Sequence, residues 1–264
     1  MPLYLVGAGI ASTYLTLRAL QVIGSADKVY IDAYTSIAPG IDEELVARLN
    51  PEAEVVRASR SLLEDYSERI IEEARGKRVV VLAPGDPLTA TTHISLIVEA
   101  KKRGVEVHIV PGVGGPQAAM TVTGLQFYRF GKPVTLVYPE EGLRPYSVVE
   151  TIAENRARDL HTLVLLDLRL DAGKAMTVPE AVKILADLEA ELASREPGFK
   201  PFLNEAILVG IARAGLPDQR CVAGPPGFVA AADYPPPPHS LVVTAPRLHP
   251  MEEEALKLLC TSRI

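Results

Sequence analysis

Short apolar runs alternate with amphipathic stretches along the first hundred positions, the pattern of βαβ units that feed a parallel sheet. The runs "LYLVG" (Leu3–Gly7), "KVYID" (Lys28–Asp32), "AEVVR" (Ala53–Arg57), "RVVVLA" (Arg78–Ala83) and "VEVHIV" (Val105–Val110) predict five strands. Helical spacing between them predicts helices near Thr16–Ile23, Asp42–Leu49, Leu62–Arg75 and Thr91–Arg103. Ser61, with Glu64 three residues on, has the form of a capping box at the head of the third. Lys101, Lys102 and Arg103 close the fourth before Gly104, where cations complement the helix dipole and glycine suits the cap.

After Pro111 the pattern changes. "PGVGGPQAAMTVTGLQ" gathers glycines and small residues and reads as a loop free of large side chains, and longer apolar runs follow. A domain boundary is expected there, giving an N-terminal α/β domain over 1–110 and a C-terminal α/β domain over 111–264. The second half predicts strands at "PVTLVYP", "HTLVLLDL", "AILVGIA" and "SLVVTA", and helices near Ser147–Arg158, Pro179–Ser194 and Pro250–Leu259. Pro179 suits a first helical turn, where its missing N–H costs nothing. The prolines 235–238 read as a stiff connection into the last strand. No internal repeat or low-complexity linker separates the halves. A cleft between closely packed domains is therefore the expected ligand site.

Composition narrows the function classes. The 264 residues are 48% hydrophobic and 23% charged, ordinary globular usage. With 27 basic against 33 acidic residues the formal charge is −6, so no basic field exists to hold a nucleic-acid backbone. No apolar run reaches the ~18 residues of a membrane span, and "MPLYLVGAGIAS" lacks the basic start of a signal peptide; the expected location is cytoplasmic. Cys221, Cys260 and five scattered histidines have neither disulfide-framework nor zinc spacing, so free thiols and no metal are expected.

Three loops carry candidate chemistry. "GAGIAS" (Gly7–Ser12) follows the first strand like a dinucleotide fingerprint, but Ser12 stands where the third glycine belongs, and a tight strand-to-helix turn explains it as well. In "APGDPLTATTH" (Ala83–His93), Gly85 and Pro87 hold Asp86 at the carboxyl end of a strand, where open α/β sheets bind ligands. The same Asp read alone could simply accept turn hydrogen bonds. "VPGVGGPQAA" (Val110–Ala119) and "ARAGLPDQ" (Ala212–Gln219) offer backbone that a ligand could approach closely. Tyr34 to Ser36, after the second strand, either line a substrate side or form a polar turn. His93 and His239 are more often packed structural residues than proton carriers.

In this order, "YLVGAGI", "PGDPLTATTH", "VPGVGGPQAA" and "ARAG" resemble the tetrapyrrole methylase superfamily. Within it, "DAYTS", "TGLQFYRFGK", "HTLVLLDL", "MTVPEA" and "PPPHSLVV" are similar to the diphthine synthase branch, over nearly the whole chain. The resemblance implies two α/β domains of the tetrapyrrole methylase type, with S-adenosylmethionine in the cleft between them, and a homodimer. It places cofactor contacts on Ile10, Asp86, Thr89, Gly115, Pro116, Leu166, Ala214 and His239. Gly114 and Gly115 stand where many relatives carry serines, and the acidic residues that often follow the first loop in the superfamily are missing.

The implied reaction is methylation of the amino group of a modified histidine, 3-carboxy-3-aminopropyl-histidine, on translation elongation factor 2. Such a transfer is an in-line displacement that depends chiefly on alignment, and the sequence assigns no catalytic base. Archaeal-type members stop at the trimethylated amine, whereas the eukaryotic kind also esterifies the carboxylate. Two other readings stay open: a methylase of a corrin or porphyrin precursor, and a non-catalytic S-adenosylmethionine sensor.

Overall fold

The computed structural model describes residues 1–140 and 142–264. The chain divides into two compact units, one formed by Met1–Gln117 with Leu170–Ala172, the other by Ala118–Arg169 with Gly173–Ile264.

The first unit is a five-stranded, wholly parallel sheet. Its strands are β1 (Leu3–Gly7), β2 (Lys28–Asp32), β3 (Glu54–Ala58), β4 (Val79–Ala83) and β5 (Val107–Val110), in the order β3-β2-β4-β1-β5. The connecting helices are α1 (Leu17–Ile23), α2 (Glu43–Leu49), α3 (Arg60–Glu64), α4 (Ser67–Ala74) and α5 (Ile94–Lys102). Successive strand residues point to opposite faces, so a strand covered on both sides must be apolar throughout. β4 meets this: Val79 and Val81 pack with Leu63, Ile70, Ile71 and Leu96, while Val80 and Leu82 pack with Ala19, Val22, Leu45 and Val46.

The helix expected over Leu62–Arg75 is two, broken at Tyr66. Ser59, not Ser61, caps the first of them by accepting the Leu62 N–H; Ser61 lies inside α3, where its carbonyl receives the Asp65 N–H.

The second unit begins within α6 (Gly115–Thr123), so the stretch expected as a small-residue loop is largely helical. The inward face of the helix is made by alanines and a threonine: Ala118, Ala119 and Thr123 are buried. The unit contains β6 (Val134–Leu136), α7 (Tyr146–Ala157), β7 (Thr162–Leu166), β8 (Leu168–Arg169), β9 (Lys174–Ala175), α8 (Val178–Arg195), β10 (Leu208–Ala212), β11 (Arg220–Gly224), α9 (Pro226–Ala230), β12 (His239–Val243), α10 (Pro250–Leu259) and β13 (Thr261–Ser262). The main sheet, β13-β11-β10-β12-β7-β6, is antiparallel in its centre and parallel at both edges. Pro179 sits in the first turn of α8, where Thr177 and Glu180 form a full capping box.

A buried polar network ties the start of α10 to the sheet. The Glu252 carboxylate receives the backbone N–H groups of Gln126 and His249, the Arg129 guanidinium and the Nε2–H of His161. Nδ1 of His161 accepts the Ala245 N–H, which fixes the ring as neutral with its proton on Nε2. Burial pushes the His161 imidazole below its ordinary range and outweighs the raising influence of Glu252.

Cys221 and Cys260 are joined in a disulfide with a Cα–Cα distance of 4.6 Å, contrary to the expectation of free thiols. They lie 39 residues apart in sequence, at the start of β11 and the end of α10, and the fold alone brings them together. Among the described residues no helix is long and apolar enough to cross a membrane, and no cluster of three or more His, Cys, Asp or Glu could hold a metal.

Two stability measurements follow. Closing a loop of this length removes unfolded-state entropy equivalent to about 4 kcal/mol. The double variant Cys221→Ser, Cys260→Ser is therefore expected to lose stability of that order in urea unfolding under non-reducing conditions; an unchanged midpoint would show that the bond contributes nothing. The unfolded chain binds a proton at residue 161 more readily than the folded chain, so the stability due to neutral His161 is complete above about pH 6.5 and declines as pH falls through that value. His161→Asn keeps an acceptor for Ala245 and is expected to flatten the decline between about pH 7 and pH 5 by up to about one proton. Unfolding titrations at several pH values read this slope, and an identical slope removes His161 as the acid-sensitive group.

Candidate active site

Five of the residues singled out by the sequence lie on three touching loops at the carboxyl ends of β1, β4 and β5. Ile10 follows β1, Asp86 and Thr89 follow β4, and Gly115 and Pro116 open α6 after β5. Gly9 and Gly85 bond to each other through both backbone groups, at 3.0 and 2.8 Å. Gly85 has φ +71°, a conformation that disfavours side chains, and a Cβ on Gly112 would collide with the Gly85 carbonyl. The close approach of these loops thus requires glycine at 112.

Asp86 fastens the arrangement. Its Oδ1 accepts from the Leu88 N–H and the Thr89 hydroxyl, each at 3.0 Å, and its Oδ2 accepts from the Gly112 N–H at 3.1 Å. The carboxylate therefore serves the protein first, binding the β4 loop to itself and to the loop after β5. A Cβ at Gly114 would strike the Gln117 side chain, whereas at Gly115 it would meet open space. A serine at 115 would fit as the loop stands, and one at 114 would require the flexible end of Gln117 to move aside.

A second knot lies beside the first. Asp32 ends β2, and its Oδ1 accepts the N–H groups of Tyr34 and Thr35, both at 3.0 Å, so "DAYTS" is an aspartate-organised turn. Its Oδ2 lies 3.3 Å from Nε2 of His93, within ion-pair distance though not aligned as a hydrogen bond. Nδ1–H of His93 donates to the Pro87 carbonyl at 3.1 Å. Burial alone would raise the Asp32 carboxyl, but the facing His93 imidazole, together with Thr35 and the Tyr34 N–H, holds it below the usual range. The Tyr34 hydroxyl and Thr92 hydroxyl both donate to Glu64. Asp32 and His93 thus join the β2 turn to the Asp86 loop. The turn at Asp32 is marked by its own spacing in the sequence, but no local pattern marks its pairing with His93.

The remaining three residues lie together at one end of the second unit's sheet. Leu166 ends β7, His239 starts β12 opposite Ala212 of β10, and Ala214 is two residues further on. His239 is buried, accepts the Val178 N–H on Nδ1 at 3.1 Å and donates from Nε2 to the Pro235 carbonyl at 2.7 Å. Burial lowers its pKa despite the Pro235 bond. With both nitrogens engaged, His239 orders the β12 start rather than carrying protons.

The loops of the first unit thus set the exposed backbone of Gly115 near a fixed carboxylate at Asp86.

Residues 2–227 match the family model of the tetrapyrrole (corrin/porphyrin) methylases. A diphthine synthase of Staphylothermus marinus is 43% identical over 260 residues, which span 98% of this chain and 93% of the relative. A diphthine methyl ester synthase of Aspergillus fumigatus is 35% identical over 266 residues, spanning 95% and 90%. A crystal structure of diphthine synthase superposes with a TM-score of 0.87 at 34% identity, covering 100% of this chain and 97% of that one. A mixed α/β chain with these strand-end loops, matched over nearly its whole length, belongs to the tetrapyrrole methylase family.

Proposed function

We propose that this protein is an S-adenosylmethionine-dependent methyltransferase, a diphthine synthase, that methylates the amino group of 3-carboxy-3-aminopropyl-histidine on translation elongation factor 2. The observation that carries this reading is the near-complete coverage by relatives of that name, 43% identical over 98% of the chain in one case. The proposed setting is the cytoplasm, and the proposed assembly is a homodimer of two-domain chains.

The proposed cofactor residues are Ile10, Asp86, Thr89, Gly115, Pro116, Leu166, Ala214 and His239. S-adenosylmethionine supplies an electrophilic methyl on a sulfonium. The chain's own contribution is geometric: Asp86 sets the loops that would receive the cofactor, and its charge favours a cation nearby. The acceptor amine would give its proton to water before attack, and the loops held by Asp86 would set the methyl donor in line with its lone pair. Alignment of the reacting atoms supplies the main rate advantage in such a displacement.

Mass spectrometry tests the reaction. Purified elongation factor 2 carrying the aminocarboxypropyl-histidine is expected to gain mass in multiples of one methyl group with this protein and S-adenosylmethionine, and the unmodified factor is expected to gain none. No gain with cofactor binding intact would shift the reading to a corrin or porphyrin acceptor, or to a sensor. The role of Asp86 has its own test. Asp86→Ala removes the acceptor for Gly112, and Asp86→Asn would set an amide against that N–H, so both are expected to weaken cofactor binding about 10-fold or more, as loss of a charge-assisted bond does. Calorimetric titration measures it; an unchanged dissociation constant in both variants excludes Asp86 from the site.

A further inference from the structure

A cavity of about 210 Å³ opens at the carboxyl end of β2, beside the Pro84-Gly85-Asp86 turn. Its walls mix apolar side chains, Ile37, Ile41, Pro84 and Leu170 among them, with polar ones that include Ser36 and Arg57. Leu170 comes from the turn Leu170–Ala172, which belongs to the first unit although it lies far along the chain. Sites for drug-sized ligands begin near ~300 Å³, so this space suits an amino-acid side chain and not a macrocycle.

The charges around it are asymmetric. Arg57 lies on β3 opposite Ile31, and its only ion pair among the described residues is with Glu43 at 3.8 Å, both side chains being about half exposed. Such a contact is weak and easily exchanged, which leaves the guanidinium fork available to a carboxylate. The carboxylate that borders the cavity, Asp32, is fully covered: its oxygens serve Tyr34, Thr35 and His93. The cavity therefore presents a cation for an acid group and keeps its own anion turned away.

We infer that this cavity receives the aminocarboxypropyl arm of the modified histidine, with Arg57 binding the α-carboxylate and the apolar walls holding the methylene chain. The inference rests on the function proposed above. A zwitterionic arm needs one end anchored and the other free, because an amine paired with a carboxylate would keep its proton and its lone pair would be unavailable. Holding the acid end on Arg57, with Asp32 committed elsewhere, leaves the amine unpaired at the side of the cavity formed by Pro84, next to the turn of Asp86. Ser36 adds a hydroxyl that can donate to the same carboxylate.

Steady-state kinetics on elongation factor 2 carrying the intermediate test the assignment, with three variants. Arg57→Ala is expected to raise KM for the factor about 10- to 100-fold, the loss of a bidentate charge-assisted contact, while the dissociation constant for S-adenosylmethionine and the melting temperature stay as in the parent. Arg57→Lys restores part of the loss as a point charge. Leu170→Trp, which narrows the cavity while keeping Arg57 in place in the sequence, is expected to raise KM as well. A KM unchanged in Arg57→Ala and in Leu170→Trp overturns the assignment even though the parent protein methylates the factor. A parent protein that binds S-adenosylmethionine but does not methylate the factor overturns the proposed function, and this inference falls with it.

Discussion

The bond from the Gly112 N–H to the Asp86 carboxylate is the constraint on which the site geometry depends. β1, β4 and β5 are neighbours in a parallel sheet, so their carboxyl ends lie side by side, but sheet pairing stops where the strands stop. Beyond that point something else must hold the loops together. Gly9 and Gly85 do so through their backbones, and Asp86 does so by spanning from the β4 loop to the β5 loop. The glycines make the approach possible and the carboxylate makes it specific. A neutral or longer side chain at 86 would satisfy one loop and release the other.

The same economy appears at the histidines. His93, His161 and His239 are all buried, and each has both ring nitrogens facing a protein partner. Each joins segments distant in sequence: His93 links the β2 turn to the Asp86 loop, His161 links β7 to α10, and His239 links β12 to the head of α8. They behave as bifunctional connectors whose two nitrogens are set at a fixed angle. This explains why histidines in conspicuous motifs supply order here, and why the proposed reaction relies on placement.

Much of the architecture was legible in the chain. Runs such as "VVVLA" have one reading, a strand buried on both faces, because few other settings tolerate five consecutive apolar residues bounded by Lys77-Arg78 and Pro84. The three strand-end loops of the site were legible for a related reason: glycine and proline leave few backbone alternatives. What escaped depended on tertiary partners. α6 was hidden because its glycines resemble a loop until Ala118 and Ala119 find a surface to cover. β11 was hidden by its short apolar content, which becomes strand only when paired with β10. The cap shifted from Ser61 to Ser59 because either serine satisfies the local rule and packing of Leu63 chooses between them. The Asp32–His93 pair spans 61 positions, beyond any local pattern.

The disulfide has a further meaning at the sheet's border. β13 meets β11 over only two residue pairs, Val222 with Thr261 and Ala223 with Ser262, too few to persist without help. Cys260 immediately precedes β13, and its bond to Cys221 at the start of β11 keeps this short strand in register. The last residues of the chain therefore act as a covalently fastened cover over backbone groups that an open strand would offer to another molecule. Where the sulfurs are reduced, β13 is held by those two residue pairs alone, and the β11 backbone is the less protected edge of the sheet.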